Sequence, residues 1–283
     1  MSTILHNTPA LRASRQLGVT GNGLSKTIER LTTGLRINRA ADDAAGLAIS
    51  NNLGADIRIA AQGRRNANDG IAYLQVADGV LEEVTNLLTR AAELTEQAKT
   101  GTINDSNRLA LDLEFQNIIK GIADIGTNTK FNGQSVFNIS DLTVSVGDYT
   151  PVGISVGLIA TSTLNALGLK YYPHPDNPQY GTGGDHIRDS VSAATVRSKL
   201  WEAIQSVSMI RASIGANQQQ LTSVSESLGI QVENFTAAYS QIRDANMADE
   251  VINLTKFQIL NQSGTSALGQ ANRAAESVLQ LLR

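Results

Sequence analysis

Two stretches of this chain place small and apolar residues at a strict alternation of three and four positions, and that spacing demands long helices laid side by side. The first is Leu74, Ala77, Leu81, Val84, Leu88, Ala91, Thr95 and Ala98. The second is Ile210, Ile214, Asn217, Leu221, Val224, Leu228, Gln231, Phe235, Ala238 and Ile242, with Asn217 and Gln231 as polar interruptions that fix register. Prolines leave both free to run: they stand only at Pro9, Pro151, Pro173, Pro175 and Pro178, so residues 10–150 and 179–283 lack the strongest helix breaker. Unbroken, residues 192–242 would span roughly 75 Å at 1.5 Å per residue. A rod of that length needs the 74–98 seam beside it.

A third, shorter helix follows from Leu111, Phe115, Ile118, Ile122 and Ile125, opened by a polar run at 104–107 (NDSN) that can cap it. Between the two arms, residues 142–149 and 152–157 alternate apolar with small or polar residues around Thr150 and Pro151, the pattern of a β-hairpin. Residues 170–190, rich in Pro and Gly, read as a loop too short to be a domain. Only 12 residues are aromatic (one Trp, six Tyr, five Phe), so the core is thin and elongated. The fold class expected is mainly α: a coiled-coil-like bundle of long parallel or antiparallel helices carrying one small hairpin.

The extremities pose a burial problem. Leu24, Ile28, Leu31 and Leu35 line one helical face near the N-terminus. Phe257, Leu260, Gly264, Ala267, Ala271, Ala274, Val278 and Leu281 line another near the C-terminus, with small residues that permit close approach of a second helix. Both faces lie beyond the long seams. They are expected to pair with each other and with copies of themselves, and to order only on assembly.

Charge excludes some partners. The net charge is −3, which gives no global electrostatic case for nucleic acid or a membrane. Residues 1–41 nevertheless hold Arg12, Arg15, Lys26, Arg30, Arg36 and Arg39 against Glu29 alone, a surplus best matched by acidic faces of neighbouring helices or subunits. Cysteine is absent, which removes disulfides and thiolate chemistry. The first residues carry no long apolar run or small-residue cleavage pattern, so secretion would use a route other than a cleaved signal.

No constellation of catalytic groups emerges, and no cofactor or metal is implied. HExxH and GxSxG are missing. His174 with Asp176, and Asp185 with His186, are read as solvated loop residues. Residues 18–26 (GVTGNGLSK) have the four-residue gap of a phosphate loop between Gly18 and Gly23, but Leu24 occupies the place of the required lysine. The neighbouring acids Asp42 and Asp43, Glu82 and Glu83, and Asp249 and Glu250 diverge on a helix and make poor acid–base pairs.

At the level of whole motifs the arms resemble bacterial flagellin. Residues 24–38 (LSKTIERLTTGLRIN), 41–49 (ADDAAGLAI) and 65–70 (RNANDG) are similar to its N-terminal signatures, and 131–133 (FNG) to the turn after its third helix. Residues 215–217 (GAN), 242–250 (IRDANMADE), 258–266 (QILNQSGTS) and 278–283 (VLQLLR) are similar to the C-terminal ones. The resemblance implies a structural subunit that polymerises with itself into the flagellar filament, without enzymatic activity. It implies an inner core domain from 1–45 and 243–283, and a rod domain from 46–242 bearing a hairpin at about 140–160 and the 170–190 loop in place of large outer domains. It further implies export through the flagellar type III apparatus to an extracellular filament, and contacts with an export chaperone, cap and hook-associated proteins. Leu24, Ile28, Leu31, Leu35, Val251, Leu254, Leu260, Leu281 and Leu282 are the expected core-assembly residues. Arg90, Leu94 and Glu114 stand where some flagellins present the patch read by the animal innate immune flagellin receptor, though the surroundings depart from the family pattern at Ala91, Ala92 and Glu96. A hook–filament junction protein and a soluble coiled-coil adaptor are the competing readings.

Overall fold

The computed structural model describes residues 7–137, 142–147, 152–154 and 185–280. Over them run helices α1 (Thr8–Thr33), α2 (Ala44–Lys99) and α3 (Asp105–Asn128), strands β1 (Lys130–Phe131), β2 (Gln134–Ser135), β3 (Leu142–Val144) and β4 (Val152–Ile154), then helices α4 (Ser190–Arg243) and α5 (Met247–Gln280). The fold is mainly α, as the seams require. Contacts divide the chain into a terminal unit, Met1–Ile57 with Val232–Arg283, and a middle unit, Arg58–Gln231. The dividing points lie inside α2 and α4, later than 45 at the first crossing and earlier than 243 at the second.

In the middle unit the core is the three–four seam. Leu74, Ala77, Leu81, Val84, Leu88, Ala91, Thr95 and Ala98 are all buried, and the ladder continues back through Ala67 to Ala60. On α4, Ile214, Leu221 and Leu228 are buried, while Ile210, Asn217 and Val224 are half-buried. The same alternation runs upstream through Val207, Ala203, Leu200 and Val196 to Ala193, all buried. Within this unit α2 and α4 are antiparallel, tied by Arg197 to Glu96 (3.0 Å), Arg211 to Asp78 (2.8 Å) and Ser225 to Asn68 (3.1 Å). Helix α3 begins at the Asn104 cap, whose side chain accepts from the Asn107 amide at 2.8 Å, and folds back along α2. Arg108 donates to the Ala98 carbonyl at 2.9 Å and so holds the turn closed.

The buried face of α3 is rotated from the expected one. Asp112, Phe115, Ile119, Ile122 and Gly126 are buried, whereas Leu111, Ile118 and Ile125 are only half-buried. The cause is Asp112. Its carboxylate, almost wholly buried, accepts from the Ile187 amide at 3.0 Å and the Arg188 guanidinium at 2.7 Å, and so must face the segment that leads into α4. That segment ends at Asp189, which caps α4 by accepting from the amides of Val191 (3.0 Å) and Ser192 (2.8 Å).

Strands β1 and β2 pair across Asn132 and Gly133, both with positive φ, as an Asn–Gly turn requires. The hairpin expected from 142 onward is present as β3 and β4, antiparallel with Val144 opposite Val152. Its seat is a gap in α2. A Cβ at Gly63 would lie 2.9 Å from the Val146 carbonyl carbon, and one at Gly70 would lie 3.0 Å from the Val144 side chain. Asn66 adds a hydrogen bond to the Ser145 carbonyl at 2.8 Å.

Two outcomes test this packing. Gly63→Ala drives a methyl into backbone that cannot yield, so it is expected to lower stability by about 1–3 kcal/mol in denaturant titration. The Asp189 carboxyl is held below its ordinary 3.8 chiefly by the Ser192 amide, then by the Ser192 hydroxyl. Its contribution is present above that ordinary value and lost as pH falls below it. Amide exchange at Val191 and Ser192 should therefore rise on acidification below 3.8, and Asp189→Asn, which caps without titrating, should flatten that rise.

Candidate assembly surface

The terminal unit is built on α1 packed antiparallel against α5 within the single chain, so the two ends do not wait for assembly to order as expected: each supplies the apolar face that the other buries. The contacts run in step: Asn7 donates to the Ala271 carbonyl (3.1 Å), Leu17 lies over Gly264, the Phe257 ring lies over Gly23, and Arg30 meets Glu250 (3.0 Å). A Cβ at Gly23 would come within 2.7 Å of the Phe257 ring, so a larger residue there would force that ring to shift. Gly34, in the left-handed region at φ 72°, ends α1 by donating to the Arg30 carbonyl at 2.8 Å. The two connecting segments then pair. The Arg36 amide donates to the Arg243 carbonyl (2.7 Å) and the Ala245 amide to the Gly34 carbonyl (2.9 Å), which interrupts the helix between α4 and α5.

Among the described residues of this helix pair, Glu250 is the one largely buried carboxylate. Its Oε1 meets Arg30, while Oε2 is enclosed without a partner. Removing Arg30 would strand a desolvated charge, so the pair contributes more to register than to net stability. Three of the six N-terminal cations meet carboxylates within the chain: besides Arg30, Lys26 meets Asp42 (3.3 Å) and Arg39 meets Glu29 (3.0 Å). Lys26 and a backbone hydrogen bond from Arg39 hold the Asp42 carboxyl below its usual range, the backbone bond being the larger cause.

The expected assembly residues fall into two groups. Leu24, Leu31 and Leu254 are half-buried along the α1–α5 seam, and Leu35 is half-buried where it bridges to Asp244. Ile28, Val251 and Leu260 are exposed, at 48%, 50% and 40%. Leu281 and Leu282 lie outside the described residues. The C-terminal face is shared out differently from the expectation. Phe257, Gly264 and Ala271 turn toward α1, in a seam completed by Leu254, Asn261 and Leu268, whereas Leu260, Ala267 and Ala274 are exposed. A helix apolar over a wide arc offers two overlapping ladders, and one partner covers only one of them.

The uncovered ladder is a groove of about 510 Å³ on the outer side of α5, lined by Val251, Ile252, Thr255, Lys256, Ile259 and Leu260. Ile252 and Ile259, the most exposed of these hydrophobics, were not among the expected residues; their seven-residue spacing, outside both ladders, was the signal for them. Lys256 is the one titratable side chain in the groove's lining. The groove can bury hydrocarbon.

In the middle unit, Arg90 joins Glu114 through Nε (3.0 Å) and Nη2 (2.8 Å) and Glu93 through Nη1 (3.1 Å). These bonds, Glu114 first, push the guanidinium pKa above its ordinary value. Leu94 does not share that surface. It is fully buried in the α2 core, so the exposed part of the expected receptor patch is the Arg90–Glu114 pair. Asp185 is not solvated either: it is buried and paired with Lys199, and Gln116 donates to its carbonyl at 2.7 Å. His174 and Asp176 lie outside the described residues. Among the described residues no group of three His, Cys, Asp or Glu is arranged to hold a metal.

Comparison with known proteins matches this architecture. Residues 4–141 fit the bacterial flagellin N-terminal helical region and residues 198–282 the bacterial flagellin C-terminal helical region. A flagellin of Halalkalibacterium halodurans is 38% identical over 99% of both chains. The flagellar filament 33 kDa core protein of Treponema phagedenis is 36% identical, also over 99% of each. Among solved structures, that of Bacillus cereus flagellin is 27% identical with a TM-score of 0.47, covering 62% of this chain and 94% of that one. The chain belongs to the bacterial flagellin family.

Proposed function

We propose that this chain is the repeating structural subunit of a bacterial flagellar filament, and that the outward faces of α1 and α5 are where one subunit buries apolar surface against the next. The observation that carries this reading is the exposure of Ile28, Val251, Ile252, Ile259 and Leu260 on two helices whose inner sides already occupy each other. The relatives' names, flagellin and flagellar filament core protein, supply the identity of the polymer. On this reading the activity is mechanical, serving swimming, and no residue is catalytic. Residues 1–45 and 243–283 form the inner core of the filament and 46–242 its surrounding rod.

The same reading places the polymer outside the cell, delivered through the flagellar type III apparatus, with an export chaperone, a cap and hook-associated proteins as transient or terminal partners. The Arg90–Glu114 pair, exposed on the middle unit, is the part available to an animal innate immune receptor.

The experiment is seeded polymerisation of purified protein followed by sedimentation and electron microscopy. Val251→Asp combined with Leu260→Asp alters residues that are exposed in the single chain, so helicity should persist. The critical concentration should rise at least about a hundredfold, the equivalent of about 2.7 kcal/mol of lost apolar contact. Filaments formed at the wild-type concentration by this variant would refute the assignment of the surface.

A further inference from the structure

The outward face of α4 in the middle unit is unlike that of its neighbour. Taking the positions turned away from the seam between 191 and 230, only Glu202 and Glu226 among 18 residues are charged. The corresponding positions of α2 between 61 and 97 hold seven charges among 17. A helix face bound for water is normally charged. Apart from its two carboxylates, the α4 face consists of Ala, Gly, Ser, Thr and Gln, punctuated by four large apolar side chains: Val191 (77% exposed), Trp201 (64%), Met209 (68%) and Ile230 (61%). Depletion of charge together with exposed Trp and Met is the composition of the dry centre of a protein–protein interface. Small residues between the large ones let a second backbone come close.

From this we infer that the outward face of α4 docks a second copy of the same chain, with Trp201 as its anchor. The inference rests on the filament reading above, which is what requires every subunit to meet copies of itself. The size of the face supports the choice of occupant. At 1.5 Å per residue its 40-residue span is about 60 Å long. With a helix about 10 Å across, the strip covers about 600 Å², most of the ~800 Å² that one partner gives to a stable interface. Its two carboxylates are too few to repel an acidic chain of net charge −3. Open helical assembly joins unlike surfaces, so the strip meets a different surface of the neighbour rather than its own counterpart. Beside Trp201, a groove of about 470 Å³ lined by Ala92, Arg197, Ser198 and Glu202 offers room for an inserted side chain.

Trp201 is the only tryptophan in the chain, so intrinsic fluorescence reads this surface without a label. The experiment follows emission and acrylamide quenching of the full chain before and after polymerisation, with W201S and M209K compared in sedimentation. In the monomer the indole should be freely quenched. In the filament its emission should move to the blue and quenching should largely disappear. Each variant, folded as judged by helicity and thermal midpoint, should need at least about a tenfold higher critical concentration. Filaments in which Trp201 stays as quenchable as in the monomer, or in which both variants polymerise at the wild-type concentration, would overturn this inference and leave the filament reading standing. Protection of Trp201 that comes only when another protein is added to finished filaments would overturn it equally, by giving the face to a different occupant. A wild-type chain that never polymerises would instead remove the reading on which it rests.

Discussion

A helix packed against a single neighbour hides an apolar strip of about 100° from water, and α5 carries apolar side chains over a wider arc than one strip. Helix α1 takes the side bearing Phe257, Gly264 and Ala271, which leaves Val251, Ile252, Ile259 and Leu260 between 40% and 65% exposed. Full burial of such a side chain is worth about 1.5–3 kcal/mol, so these four with Ile28, each about half exposed, hold about 4–8 kcal/mol in reserve. Bringing two molecules together costs an estimated 4–15 kcal/mol in lost freedom. One contact between two copies therefore stands near balance. A subunit that touches several copies at once loses that freedom once and gains the burial repeatedly, which favours an extended polymer over a dimer.

Such a surface works only if the inner side of the pair keeps its register. A three–four seam can slip by seven residues with little change in its apolar pattern. Three contacts oppose that slip here. Phe257 fits over Gly23 and Leu17 over Gly264, pairings of large with small that a shift would turn into clashes and holes. Arg30 must remain beside Glu250, since a displaced helix would leave that carboxylate enclosed and unpaired. The segments at 34–36 and 243–245 add backbone hydrogen bonds of 2.7–2.9 Å that fix where the pair begins. Order on the hidden side thus determines which residues reach the outer one.

How much of this could be read from the sequence depends on how many neighbours an element has. On α2 each seam residue from Leu74 to Ala98 is buried as its spacing demands. The upstream part of the α4 seam escaped notice because Ala193 and Ala203 are too small to stand out, although both are fully buried. On α3 the apolar spacing identifies Phe115 and Ile122 but misses Asp112, Ile119 and Gly126, since a polar group, Asp112, orients the helix, and apolar periodicity is blind to such a group. The α5 face was ambiguous for a different reason: two ladders share Phe257, Gly264 and Ala271, and only the position of α1 chooses between them. Leu94, taken as a surface contact by resemblance, belongs to the core because it lies one position from Thr95 on a helix buried along that flank. Nothing in the apolar spacing marks Gly63 and Gly70, whose missing side chains leave the space that the hairpin occupies.

The seams alone do not separate a filament subunit from any other bundle of long helices, because inner faces of this kind serve equally well in a soluble adaptor. The outer faces differ. Helix α2 turns charged residues outward, among them Glu82, Glu83, Arg90, Glu93 and Glu96, and can remain hydrated at no cost. Helix α4, joined to the same core, turns outward a strip with two charges and an exposed Trp201, which water solvates poorly. A bundle meant to stay alone has no use for that asymmetry. A subunit with wet and dry flanks meets its neighbours in one orientation only, and repeating one orientation without closure builds a helix.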